Sequence, residues 1–166
     1  DLVFSSVHLI AVAGEVKWAA PRVTLDTAAQ TATFTFTKPI PPGIYQLAIG
    51  YSGKSGTQSN GLFALDYETV AGKQRGLFTQ FAVSEARSFV PSWDEPAYKA
   101  TFALQATVPS DQMAVSNLPA ISTDDLGNGL TRVRFAPSPK MSTYLLFFAL
   151  GDFERATAQA GETEVG

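Results

Sequence analysis

Cysteine is absent from this sequence of 166 residues, which excludes disulfide staples, thiolate metal sites and cysteine nucleophiles. Histidine occurs once, as His8, so neither a multi-histidine metal site nor a Ser–His–Asp relay can be assembled without many partners from elsewhere. Charge is scarce: Asp, Glu, Lys and Arg make up 16% of the chain, against about a quarter in ordinary soluble domains. The formal net charge is −3 and the cations are scattered. A nucleic-acid partner is excluded, because binding one takes clustered cations to displace phosphate counterions. The longest apolar run, Tyr144 to Leu150, falls far short of the ~20 residues of a membrane helix, so no membrane span is expected. Helical periodicity is nearly absent, as are a Walker-type phosphate loop, a His–Glu zinc helix motif and any repeat of solenoid or propeller length.

What is present is apolar and β-patterned. Hydrophobic residues make up 45% of the sequence, with twelve Phe. A chain of this size buries roughly two thirds of the surface it would expose unfolded. The expectation is a single β-rich domain over residues 1–166. Its low charge fits either an Ala- and Thr-rich β domain or a piece of a larger protein whose surfaces lie against neighbours. The chain opens without an initiator Met on Leu2-Val3-Phe4, which suggests that a preceding stretch has been removed.

Period-two alternation, the mark of half-buried strands, dominates. Ala32, Phe34 and Phe36 share one face of Thr31 to Thr37. Tyr45, Leu47, Ile49 and Tyr51 share another, and Phe102, Leu104, Ala106 and Val108 a third. Thr131, Val133 and Phe135 oppose Arg132 and Arg134, preceded by Asp125-Leu126-Gly127-Asn128-Gly129, whose Gly and Asn suit a hairpin with positive φ. Tyr144 to Leu150 does not alternate and reads as a strand covered on both faces. Glu68 to Arg75 reads as a hairpin around Gly72. The one helical candidate is a single turn at Ser84-Glu85-Ala86-Arg87, with Ser84 as its cap. The fold class is therefore all-β.

Candidates for chemistry are few. His8 lies alone in the first strand, and a lone strand histidine is most often an edge or core residue. Asp94 and Glu95 are adjacent, so their side chains diverge, and Pro96 confines Glu95 to extended backbone. Asp94 suits a local role accepting from backbone N–H groups, with Arg87 or Lys99 as ionic partners for the pair. The residues alone supply no catalytic site and no metal ligands, only a β domain acting as an accessory or interaction module.

The stretch from Thr79-Gln80-Phe81-Ala82, through Glu85-Ala86-Arg87, to Asp94-Glu95-Pro96-Ala97-Tyr98-Lys99-Ala100-Thr101-Phe102 resembles the N-terminal domain of the M1 family of zinc aminopeptidases. That family shows T-Q-F-E, D-A-R and D-E-P-x-x-K-A-x-F at this spacing. Gly61-Leu62-Phe63 is similar to its G-L-[FY] entry. Lys140-Met141-Ser142-Thr143-Tyr144-Leu145-Leu146 with Gly151-Asp152-Phe153 is similar to its P-x-M-S-T-Y-L and G-D-F segments. Gly43, Tyr45, Leu47, Tyr51 and Gly53 also fit.

The resemblance implies a saddle-like, multi-sheet, mostly antiparallel domain with at most short helical turns. It implies an incomplete N-terminal domain of a larger multidomain protein, packed on a catalytic domain that lies outside these residues. There, an H-E-x-x-H helix and a further Glu hold zinc, assisted by a G-x-M-E-N strand and a Tyr, and single residues are removed from peptides with a free N-terminus. This chain itself is expected to bind no zinc and to be inactive alone. The substrate-binding positions carried over are Gln80 and Ala82; Ala82 stands where the family places an acid or amide that accepts from the substrate's α-amino group. That departure keeps open a second reading, a non-catalytic β module from an M1-like relative. For location, the bacterial periplasm and the cytoplasm are left as equals.

Overall fold

The alternation in the sequence becomes extended backbone almost throughout a computed structural model that describes residues 2–12, 17–70, 72–82 and 84–165. Among them, helical geometry is confined to two 3-10 turns, Ala86–Ser88 and Thr143–Leu145. The protein is all-β, built from several antiparallel sheets, as its patterning implies. The chain separates into two compact units, residues 1–53 and 54–166.

The first unit holds β1 (Val3–Ala11), β2 (Arg22–Asp26), β3 (Thr31–Thr35) and β4 (Tyr45–Ser52). They form two antiparallel ribbons, β1 with β4 and β2 with β3. In β3 the expected alternation holds, with Ala32 and Phe34 half-buried between exposed threonines, and Phe36 continues it. The Phe34 ring meets Phe4 edge-on at 5.8 Å. The register of β1 slips between Phe4 and Ser6. Across the ladder stands Gly50, where a Cβ would lie 2.5 and 2.8 Å from the Ser6 and Ser5 hydroxyl oxygens, so the irregularity is matched by a residue without a side chain. The apolar face expected for β4 is only partly covered: Ile49 is half-buried, but Leu47 and Tyr51 stay 38% and 37% exposed. Period two places side chains on one face; it does not supply a layer to cover them.

The second unit contains β5 (Gly61–Thr69), β6 (Gly72–Gln80), β7 (Lys99–Ala100), β8 (Gln105–Pro109), β9 (Met113–Ser116) and β10 (Ala120–Gly127). It continues with β11 (Leu130–Phe135), β12 (Met141–Ser142), β13 (Phe148–Gly151), β14 (Ala158–Ala160) and β15 (Thr163–Val165). A four-stranded sheet runs β5-β6-β13-β9 and a three-stranded sheet β10-β11-β8; β7 pairs with β12, and β14 with β15. The hairpin between β10 and β11 turns through Gly127, Asn128 and Gly129, all at positive φ, as the sequence requires. Gly72, at φ +112°, opens β6 and is the last ladder partner of β5.

The core of this unit is made where the two larger sheets meet. Val108 of β8, Val133 and Phe135 of β11, and Phe148 and Leu150 of β13 pack into one buried cluster. A second cluster gathers Phe81, Ala86 and Leu146. Strand β13 is buried at all four positions, as expected for a strand covered on both faces, but the run is shorter than the sequence implies. Thr143–Leu145 tightens into a 3-10 turn instead, closed by the Leu146 N–H donating to the Thr143 carbonyl at 3.0 Å. The Phe102 to Val108 segment alternates in burial throughout, although ladder pairing starts only at Gln105. Before that, Ser138 substitutes for a strand partner: its Oγ accepts from the Phe102 N–H at 3.0 Å and its N–H donates to the Phe102 carbonyl at 2.9 Å.

Candidate functional site

Gln80 closes β6, opposite Gly61 in the ladder. Burial alternates here: Thr79 and Phe81 are buried, Gln80 and Ala82 exposed. Successive side chains on extended backbone point to opposite faces, so Gln80 and Ala82 present to one side while their neighbours grip the interior. The Gln80 amide is thus not buried in this structure.

The grip is specific. Thr79 Oγ1 donates to the Phe148 carbonyl at 3.2 Å and accepts from the Phe148 N–H at 2.8 Å, completing the β6–β13 pairing with a side chain. Phe81 stacks on Phe89 at 5.4 Å between centroids and packs on Ala86, which is fully buried. The strand end carrying Gln80 is thus fastened through both neighbours.

Beyond Ala82 the chain turns sharply. Ser84 sits at φ +77°, and the Glu85 N–H donates to the Ala82 carbonyl at 3.0 Å. The expected turn exists as the 3-10 segment Ala86–Ser88, but Ser84 does not cap it; the capping position falls to Glu85, without a side-chain bond. The left-handed backbone of Ser84 takes it out of the extended geometry a cap needs.

Asp94 is 2% exposed, and its Oδ2 accepts from the Arg87 backbone N–H at 3.0 Å and from Arg87 Nε at 3.3 Å. That is the local backbone role read from the sequence. Lys99 goes elsewhere: its Nζ donates to Ser142 Oγ at 2.8 Å, and Ser142 Oγ donates in turn to the Pro96 carbonyl at 2.7 Å. Neither Asp94 nor Glu95 therefore takes Lys99 as ionic partner. His8 is exposed on β1 between buried Val7 and Leu9.

Gln80 and Ala82 cannot themselves transfer a proton near neutral pH: an amide donates and accepts hydrogen bonds, and an alanine methyl does neither. The arrangement can line a cleft and orient a polar ligand. Among the described residues no three of His, Asp and Glu come together to hold a metal ion, and no helix is long and apolar enough to cross a membrane. The described residues do not fit a zinc site. In the first unit, a groove of about 400 Å³ between β1 and β2 is lined by residues such as Leu2, Phe4, Val23 and Leu25, with Ser5 and Ser6 as its only polar side chains. It offers no acid, base or metal ligand.

The spatial neighbour that sequence reading missed is Ser88. A Cβ on Gly61, which sits at φ +65°, would lie 2.5 Å from Ser88 Oγ. The Gly-Leu-Phe pattern marked Gly61 as a special position; nothing local indicated which residue comes so near.

The family model for the Peptidase M1 N-terminal domain matches residues 1–145. Aminopeptidase N of Acetobacter pasteurianus is 44% identical over 142 residues, covering 85% of this chain and 40% of that protein. Aminopeptidase M1 of Arabidopsis thaliana is 37% identical over 136 residues, 82% of this chain and 15% of that protein. Puromycin-sensitive aminopeptidase of Caenorhabditis elegans is 33% identical over 161 residues, 96% of this chain and 17% of that protein. The chain spans less than half the length of each of these relatives.

Proposed function

The chain belongs to the family of Peptidase M1 N-terminal domains, and from that premise we propose that it forms one wall of the substrate pocket in a zinc metalloaminopeptidase. In this reading it packs on a catalytic domain that holds the zinc and performs the cleavage, while Gln80 and Ala82 face the first residue of a peptide with a free N-terminus. In this reading the domain alone is inactive, because the zinc and the groups that perform the cleavage belong to the catalytic domain. The observation that carries the proposal is the exposed Gln80 side chain, next to Ala82, on a strand end fastened by Thr79 and Phe81. A rigid strand end suits recognition, since a polar group held in place loses little entropy when a ligand arrives.

Ala82 sets how demanding that wall is. A carboxylate there would expect an ammonium and be left unpaired without one, which discriminates strongly for a free amine. Alanine removes that demand. Substituting Ala82→Glu in the full-length protein introduces a charged acceptor worth about 1.5 kcal/mol or more. The expected result is a KM for aminoacyl-arylamides about tenfold lower, with no gain for the N-acetylated counterparts. Unchanged kcat and KM would place position 82 outside the pocket.

The absence of an acceptor at Ala82 also favours a second reading, a non-catalytic β module that has kept the scaffold and lost the reaction. The two are separated by whether an H-E-x-x-H segment is encoded in the same gene; its absence would establish the module.

A further inference from the structure

We infer that Asp94 is a positioning residue for the Gln80–Ala82 wall, acting through Arg87 and the 3-10 turn that contains it; the inference rests on the pocket role proposed for that wall. Asp94 is a buried carboxylate that pairing with Arg87 satisfies only on one side. Oδ2 takes both Arg87 bonds, at 3.0 and 3.3 Å, while Oδ1 is enclosed with no hydrogen-bond partner among the described residues. Burying an ion pair roughly breaks even against a well-packed apolar substitute, and an unpaired carboxylate oxygen makes the balance worse. What the pair gains is geometric: one oxygen fixes the backbone N–H and the side chain of the same residue.

The fixed segment reaches Ala82 directly and Gln80 through its ladder partner. Ser88, next to Arg87, donates from Oγ to the Glu85 carbonyl at 2.7 Å and occupies the space over Gly61, the ladder partner of Gln80. At its other end, the Glu85 N–H holds the Ala82 carbonyl at 3.0 Å. If Asp94 releases Arg87, the turn is free to shift on Gly61 and to pull on Ala82, displacing both positions together. A displacement of this kind acts on substrate binding and not on chemistry performed elsewhere, so it belongs in KM.

The test is a double-mutant cycle in the full-length protein, reading kcat and KM on an aminoacyl-arylamide for Asp94→Asn, Gln80→Ala and the pair. Each single variant is expected to raise KM about tenfold with kcat changed less than about twofold, and the pair also about tenfold, because Asp94 works through Gln80. A pair that multiplies to about a hundredfold, or an Asp94→Asn protein of lowered Tm with native KM, overturns the positioning role and leaves the pocket role standing. A native KM for Gln80→Ala overturns the pocket role, and the positioning role with it. Should Asp94→Asn not fold, Arg87→Gln serves in its place, since it keeps the backbone bond to Asp94 and removes the Nε bond. Its expected rise of about threefold must likewise vanish in the Gln80→Ala background, and a rise that persists there contradicts the inference.

Discussion

The two compact units of this chain spend similar patterning on very different interiors. Among the described residues of the first, Val7 and Leu9 are the buried side chains; both buried clusters, and every polar residue buried as a whole, lie in the second. The first unit consists of two-stranded ribbons, which are marginal alone in water, whereas the second brings a three-stranded and a four-stranded sheet onto a shared core. The lesson is that alternation makes strands, while a second layer makes a core. Gln80 and Ala82 belong to the second unit.

Removing a core side chain separates the units most widely. Phe135→Ala is expected to cost about 3–5 kcal/mol, against about 1–2 kcal/mol for Val7→Ala, which leaves a smaller void in a thinner layer. Urea unfolding followed at both positions reads the difference, and a reversal would break the comparison. Next is Thr79→Val, isosteric but without the hydroxyl. It strands the Phe148 N–H and carbonyl in the interior and is expected to cost about 1–3 kcal/mol in the same assay; a neutral result would show that the β6–β13 seam does not depend on that bond.

Hydrogen exchange sharpens the contrast without mutation. Amides of β6 and β13 should exchange only on opening of the second unit's core, and those of β1 and β4 by smaller openings. Equal protection in all four would mean that the first unit is held as firmly as the second.

The smallest effect is expected at the exposed Asp66–Arg75 pair, 2.6 and 2.9 Å apart, on the β5–β6 hairpin. The hydrogen bond from Arg75 holds the Asp66 carboxyl below its ordinary range. A lowered folded-state value gives stability that is present above the unfolded value of 3.8 and lost as pH falls through the folded one. Solvent screens the pair, so Asp66→Asn should lower the neutral-pH urea midpoint only slightly, and that small difference from the parent should close as pH falls below about 4.

Much of this was legible in the residues, for local reasons. The Thr31–Thr37 alternation, the Asn128-Gly129 turn and the opposition of Val133 and Phe135 to the arginines each depend on a few neighbouring side chains, and each appears as read. Gln80 and Ala82 were carried over from the family resemblance, and both are exposed. What could not be read depends on partners distant in sequence. Ser138 completes the edge at Phe102, Thr79 reaches Phe148, and Ser88 settles over Gly61. The incomplete cover over Leu47 and Tyr51 and the 3-10 turn at Thr143–Leu145 are of the same kind, because a run of apolar residues does not say what will lie across from it. Asp94 falls between: its backbone partner was foreseeable from its setting before Pro96, but the preference for Arg87 over Lys99 was decided by Ser142 and the Pro96 carbonyl.

The role given to this domain is tested most directly by a crystal structure of the full-length protein with a non-hydrolysable dipeptide analogue bound. The expected result is the Gln80 side-chain amide at about 3 Å from a polar atom of the first residue, with the Ala82 methyl on the same side of the cleft. A bound analogue whose first residue is enclosed entirely by other parts of the protein, with Gln80 facing solvent, would contradict it.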